Sequence, residues 1–222
     1  MDHLKKTVGY TTVNSYETLN QLSAKTTHIW VVFHGIGYLS RYFLKYFKTL
    51  DPETNYVVAP QAPAKYYLND SYRYVGASWL TKEDTDQEIT NVNRYLDAVF
   101  ENEQWPANAR LVVFGFSQGV SIALRWLAYR QLTVKQLVLY AGGIPRELKA
   151  EDLAFLRGKS LVKVIYGSQD PYLTPDRLSE QGARVSELFG ETAQRIEFEG
   201  GHEVKIELIQ QLVTTDRDRN DV

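Results

Sequence analysis

Leu111-Val112-Val113-Phe114 run without interruption into Gly115-Phe116-Ser117-Gln118-Gly119, and the mostly apolar stretch Val120-Ser121-Ile122-Ala123-Leu124-Arg125-Trp126-Leu127 follows at once. A short apolar run bounded by glycine predicts a buried strand, and the following apolar stretch predicts a helix that packs back on it. So abrupt a reversal from strand to helix brings the two backbones close together. The residues two before and two after Ser117 therefore have to be small. Gly115 and Gly119 meet that demand. The turn presents the Ser117 hydroxyl at the amino end of a helix, where the dipole and the Gln118 N–H favour negative charge. The competing reading is an ordinary or phosphate-binding Gly-rich turn, but no Gly-Lys-Ser/Thr and no G-x-G-x-x-G accompanies it.

The rest of the chain repeats the same alternation. Strands are predicted at Ile29–Phe33, Tyr56–Ala59, Leu111–Phe114, Leu137–Tyr140, Val162–Tyr166 and Arg195–Phe198. Most lack polar alternation, as expected of parallel strands covered on both faces. Arg195-Ile196-Glu197-Phe198-Glu199 does alternate, which assigns it to a sheet edge. Ile89, Val92, Leu96, Val99 and Phe100 recur at helical spacing after a capping-box pattern, Thr85-Asp86-Gln87-Glu88. Thr174-Pro175 reads as an N-cap and first helical residue, with Leu178, Val185 and Phe189 as the apolar stripe and Gly190 as the stop. Val204, Leu208, Ile209 and Leu212 mark a last helix. Thr7–Val13 is expected to form an antiparallel amino-terminal strand within a strand-and-loop segment, 1–27, and 214–222 a frayed polar tail.

With 222 residues, 44% of them hydrophobic, the expectation is one domain over 1–222 with one substantial core. The 25 basic and 27 acidic side chains nearly cancel, and no basic cluster interleaved with aromatics points to nucleic acid. The absence of cysteine excludes a disulfide scaffold, a thiolate nucleophile and thiolate metal ligands. No apolar leader opens the sequence and no run approaches membrane-spanning length, so a soluble cytoplasmic protein without stable membrane insertion is expected.

A serine hydroxyl attacks only when a base takes its proton, so the four histidines narrow the chemistry. His3 is terminal and His28 precedes the first core strand. His34, in His34-Gly35-Ile36-Gly37 at the end of that strand, suits loop architecture better than proton transfer. His202, in Glu199-Gly200-Gly201-His202-Glu203, follows the last strand, where the chain order serine, acid, histidine places the base. The acid is then Asp170, in Gly167-Ser168-Gln169-Asp170-Pro171 after the Val162–Tyr166 strand. Its competitor Asp176 follows Pro175 in a helical first turn, where the dipole alone accounts for an acid. The two donors that an oxyanion requires are assigned to the amides of Gln118 and Ile36, the lesser alternative being that His34-Gly35-Ile36-Gly37 is only a tight strand-to-helix turn. Tyr66, Tyr67, Tyr72, Tyr74 and Trp79 lie on what reads as a loop crossing the carboxyl edge of the sheet, either lining a pocket or packing on each other.

These four motifs, in this order, resemble those of the phospholipase/carboxylesterase family, which includes acyl-protein thioesterases and lysophospholipases; the resemblance runs from about His28 to Leu212. It implies an α/β-hydrolase fold without a large cap, with a mostly parallel central sheet and helices on both faces. It further implies Ser117, Asp170 and His202 as a catalytic triad, Ile36 and Gln118 as the oxyanion hole, and Trp79 as a substrate-side aromatic, with no metal and no cofactor. Two departures stand out: Tyr38 where many members carry an acid, and Leu80 where an aromatic is frequent. The expected activity is serine carboxylesterase on a small-molecule ester, in a monomer or homodimer. The alternatives are a thioesterase or lysophospholipase using the same machinery, and a non-catalytic ligand-binding protein that keeps the fold.

Overall fold

The computed structural model describes residues 3–106 and 108–214. Seven strands form the central sheet in the spatial order β1 (Tyr16–Leu19), β3 (Asn55–Pro60), β2 (His28–Phe33), β6 (Arg110–Phe116), β7 (Gln136–Tyr140), β8 (Leu161–Gly167) and β9 (Gln194–Phe198). All pairings are parallel except that of β1 with β3. The central strands are apolar on both faces because helices cover both. Val31 and Phe33 of β2, Val113 of β6 and Leu139 of β7 enter the core beneath α2 (Thr85–Asn102), α3 (Gln118–Arg130) and α4 (Pro175–Phe189). The residues between them, Trp30, Val32, Phe114 and Tyr140, point the other way. They pack beneath α1 (Ser40–Phe43), the 3-10 turn Leu44–Phe47 and α5 (Ile206–Thr214). The period of two along each strand thus divides one apolar sequence between two cores. This is the mostly parallel, helix-covered α/β-hydrolase fold.

The predicted strands all form, extended by one to three residues, and β9 lies at the edge. Four local expectations fail. The amino-terminal strand is Tyr16–Leu19, whereas Thr7–Val13 has no regular structure and Val13 is 94% exposed. The antiparallel partner is selected by burial, since Tyr16 packs beside Val58 and Val99 while Leu19 joins the α5-side core. The capping box at Thr85 does not form. Asp84 is the N-cap in a left-handed conformation, and the Thr85 hydroxyl, already inside the helix, donates to the Thr81 carbonyl. The tyrosine-rich segment is not a loop but an antiparallel hairpin, β4 (Ala64–Tyr67) with β5 (Val75–Ser78). Thr174 and Gly190 do cap α4 as expected. The expected polar tail begins one residue too early, because Thr214 closes α5, and 215–222 lie outside the described residues.

One topological feature locates the site. From β2 the chain proceeds to β3 on one side of the sheet, and β6 to β9 then build outward on the other. Where the winding reverses, the loops leaving the neighbouring strands part and open a crevice at their carboxyl ends. Here those loops are His34-Gly35-Ile36-Gly37 after β2 and Ser117 after β6.

Candidate active site

Ser117 ends β6 and begins α3 with φ 53° and ψ −118°, a positive φ that costs a side-chain-bearing residue energy and that the surroundings must enforce. The glycines on either side show how. A Cβ on Gly115 would stand 2.6 Å from the Gly119 carbonyl oxygen and the Val120 Cα, and one on Gly119 would stand 2.1 Å from the Phe33 carbonyl oxygen. Gly115 lets α3 fold back over its own strand, and Gly119 lets α3 cross the end of β2. The Ser117 amide donates to the Tyr140 carbonyl at 2.9 Å, which ties the turn to β7.

His202 lies 85 residues from this serine in sequence and 32 from Asp170, yet the three side chains converge. The Nε2 of His202 is 2.9 Å from Ser117 Oγ, and its Nδ1 is 2.7 Å from Asp170 Oδ2. A carboxylate only accepts, so Nδ1 carries the proton and Nε2 offers its lone pair to the serine hydroxyl. The Asp170 side chain is wholly buried and its second oxygen accepts from the Tyr172 amide at 2.9 Å. The imidazole is held between the Phe116 ring, at 5.0 Å, and the edge of Tyr172, at 4.8 Å. The loop after His202 is pinned in turn, since the Lys205 amide donates to the Tyr140 hydroxyl at 3.0 Å. Tyr140 thus holds both the serine turn through its carbonyl and the histidine loop through its phenol. Burial pushes that phenol's pKa up to about 12, so it remains a neutral hydrogen-bonding group.

Facing Ser117, Gly35 and Ile36 line the opening, and Ile36 is exposed to it. His34 directs this loop from behind. Its Nε2 accepts from the Ala62 amide at 3.1 Å, which leaves Nδ1 as the donor to the Gly35 carbonyl at 2.8 Å. The ring is fully buried against Phe43 and Trp79, and desolvation lowers its pKa from 6.5 to about 4. The hairpin braces the same loop from outside, with the Gly37 amide donating to the Ala77 carbonyl at 2.9 Å.

Trp79, expected on the substrate side, is 1% exposed, and its indole N–H donates to the His34 carbonyl at 2.8 Å, which supports the loop. Tyr66, Tyr67, Tyr72 and Tyr74 face solvent on the hairpin, outside the lining of the cleft. What the sequence reading missed is the Gln118 side chain. Its Oε1 accepts from the Trp79 amide at 2.9 Å and its Nε2 donates to the Leu80 carbonyl at 2.8 Å. The carboxamide therefore ties the end of β5 to the first residue of α3. Leu80 contributes here through its backbone, so the loss of an aromatic at that position leaves the link intact.

The cleft above Ser117 has a volume of about 920 Å³. Ile36, Tyr38 and Phe116 form one side, and Ile144, Pro145, Tyr172 and Leu173 the other. Its outer end is charged, with Arg146 paired to Glu180 at 3.2 Å and Arg177 donating to the Tyr172 carbonyl. Tyr38, the departure noted above, meets Phe116 edge to face and shares a hydrogen bond with Tyr46 at 3.0 Å. Among the described residues no helix is long and apolar enough to cross a membrane.

The family model for phospholipases/carboxylesterases matches residues 14–214. No curated protein sequence matches the chain significantly. Solved structures share the architecture at low identity. Acyl-protein thioesterase 2 of Zea mays superposes with a TM-score of 0.70 at 14% identity, covering 93% of this chain and 99% of that one. A carboxylesterase of Bacillus cereus gives 0.65 at 18%, covering 91% and 94%. A phospholipase/carboxylesterase from Dyadobacter fermentans gives 0.61 at 19%, covering 93% and 97%. At such identities the likeness is one of fold.

Proposed function

The chain belongs to the phospholipase/carboxylesterase family, and from that premise we propose that it is a serine carboxylesterase, a single α/β-hydrolase domain that cleaves small-molecule esters through an acyl-serine intermediate. The observation that carries this reading is the continuous relay from Ser117 Oγ to His202 Nε2 at 2.9 Å and from His202 Nδ1 to Asp170 Oδ2 at 2.7 Å. Ser117 Oγ attacks the ester carbonyl carbon while its proton passes to His202 Nε2. Asp170 keeps the ring in the tautomer that can accept that proton, then faces the imidazolium charge it creates. Negative charge gathering on the carbonyl oxygen meets the amides of Ile36 and Gln118, the latter at the start of α3. Collapse expels the alcohol, which takes the proton from Nε2 and leaves the acyl group on Ser117. Water then repeats the attack, gives its proton to His202 and releases the acid, restoring the serine.

A fluorophosphonate probe tests this directly, because it phosphonylates only an activated serine. The native protein becomes labelled and Ser117→Ala does not, while His202→Ala loses about 10³-fold or more in kcat on a p-nitrophenyl ester. No labelling of the native protein, or labelling that survives Ser117→Ala, refutes the assignment.

A further inference from the structure

Two arginines line the cleft above Ser117, and the protein meets the charge of one of them. Arg146 pairs with Glu180 at 3.2 Å. Among the described residues no carboxylate pairs with Arg177, which stands in the first turn of α4. Its Nη1 donates to the Tyr172 carbonyl at 3.2 Å, which fixes the side chain beside the loop that carries Asp170. A guanidinium offers five N–H donors in one plane, so those on Nη2 remain for a ligand. Gln181, one turn further along the same face of α4, also lines the cleft. Its Oε1 accepts from the Ile144 amide at 2.7 Å. An N–H can only donate, so the carboxamide is oriented by this bond, and Nε2 is left as a donor without a partner among the described residues.

The two side chains meet above Gly143. A Cβ there would stand 3.6 Å from Arg177 Nη2 and 3.8 Å from Gln181 Oε1, and because glycine has none the space stays open to a ligand. The preceding residue, Gly142, lies against the nucleophile, since a Cβ on it would stand 2.3 Å from the Ser117 carbonyl oxygen. Bond lengths along Gly142 and Gly143 therefore keep Arg177 Nη2 within about 13 Å of that oxygen. Asp176 and Glu180 line the cleft as well, but they occupy the neighbouring strip of the helix, about 100° round from Arg177 and Gln181. Glu180 is already held by Arg146.

We propose that Arg177 and Gln181 form a carboxylate-binding subsite, and that the preferred substrates are half-esters of dicarboxylic acids, in which the acid part carries a second, ionised carboxylate. The proposal rests on the esterase reading above and names the class of ester. A guanidinium edge and a neighbouring carboxamide N–H suit the two oxygens of a carboxylate. The charge belongs on the acid part because of where the proton donor stands. His202, which protonates the leaving oxygen, packs on Phe116 on the α5 side of the sheet. Gly143 is joined through Ile144 and Gln181 to the opposite, α4 side. The alcohol departs towards His202, and the remainder of the substrate extends over Gly142 and Gly143 to Arg177.

The test is kcat/KM at neutral pH for the monoethyl esters of succinic, adipic and suberic acids, each set against the neutral ester in which a primary amide replaces the free carboxyl. In at least one pair the native enzyme prefers the charged ester about fivefold or more at low ionic strength, and the preference shrinks as salt is added. Arg177→Met removes the charge and brings the ratio to about one. Gln181→Glu keeps an acceptor for the Ile144 amide but turns the free donor into a carboxylate oxygen; it lowers the ratio at least threefold and serves if the methionine variant does not fold. Each readout is a ratio on a single protein, so any effect passed to the triad through Tyr172 cancels. A native enzyme with ratios near one in all three pairs, or a preference that survives both substitutions, overturns the subsite and leaves the esterase reading standing. A stronger preference for acetate esters of hydroxy acids, which carry the charge on the alcohol part, overturns it as well. A native protein that cleaves neither these esters nor p-nitrophenyl acetate overturns both readings.

Discussion

The replacement His34→Gln isolates a pH response built into the loop that faces Ser117. His34 is fully buried, its ring lies against Phe43 and Trp79, and its two nitrogens are committed to the Gly35 carbonyl and the Ala62 amide. A second ring proton would turn Nε2 into a donor aimed at the Ala62 N–H, and burial accordingly lowers the pKa from 6.5 to about 4. Between those values the unfolded chain binds a proton that the folded chain refuses. Stability from this group is therefore fully present above about pH 6.5 and is lost as the pH falls towards 4. The drop corresponds to about 3 kcal/mol when complete, of which about 2 kcal/mol is lost between pH 7 and pH 5. Glutamine keeps one donor and one acceptor in the side chain but does not titrate. Urea unfolding of both proteins at pH 7, 6 and 5 is the assay, and the carboxylates they share cancel in the comparison. The native protein should lose about 2 kcal/mol more than His34→Gln over that range, a difference of about 1 M in the change of urea midpoint. Parallel pH profiles, offset by a constant, would refute the argument. Because His34 directs the Gly35–Ile36 loop, esterase activity should fall reversibly over the same acid range, and less steeply in the variant.

Three further outcomes follow from the site. Gln118→Leu removes the carboxamide link to Trp79 and Leu80 while keeping the backbone amide, so kcat on p-nitrophenyl acetate should fall about tenfold with KM changed by less than threefold, and Gln118→Glu should recover part of it through its remaining acceptor. Trp79→Phe leaves the His34 carbonyl without its indole donor and shrinks a buried ring, which should cost about 1–3 kcal/mol in urea unfolding; a change confined to KM, with stability unaltered, would restore Trp79 as a substrate contact. Tyr140→Phe removes the acceptor of the Lys205 amide, which should cost about 1 kcal/mol and lower kcat through looser placement of His202, read from the same unfolding and turnover measurements.

Much of this molecule is legible locally because its determinants are local. Parallel strands buried on both faces appear as short continuous apolar runs, and Gly115 and Gly119 flank Ser117 because a sharp turn has no room for side chains there. The order Ser117, Asp170, His202 was legible for a related reason: each follows a strand, and parallel strands deliver their trailing loops to one edge of the sheet. The bracing position of Trp79 was not legible because neither its burial nor its bond to the His34 carbonyl, 45 residues away, has a local signature. The same holds for β1, whose placement depends on the core against which Tyr16 and Leu19 pack.

Sequence alone determined the strand–turn–helix around Ser117, the alternation that builds the sheet, and the candidates Asp170 and His202, since periodicity, glycine spacing and chain order are properties of the chain. Tertiary structure alone decided that β4 and β5 pair as a hairpin bracing the Gly35–Gly37 loop, that the Gln118 carboxamide ties that hairpin to α3, and that Arg177 and Gln181 meet above Gly143. These features arise from contacts between residues distant in sequence, and such contacts exist only after the chain has closed on itself.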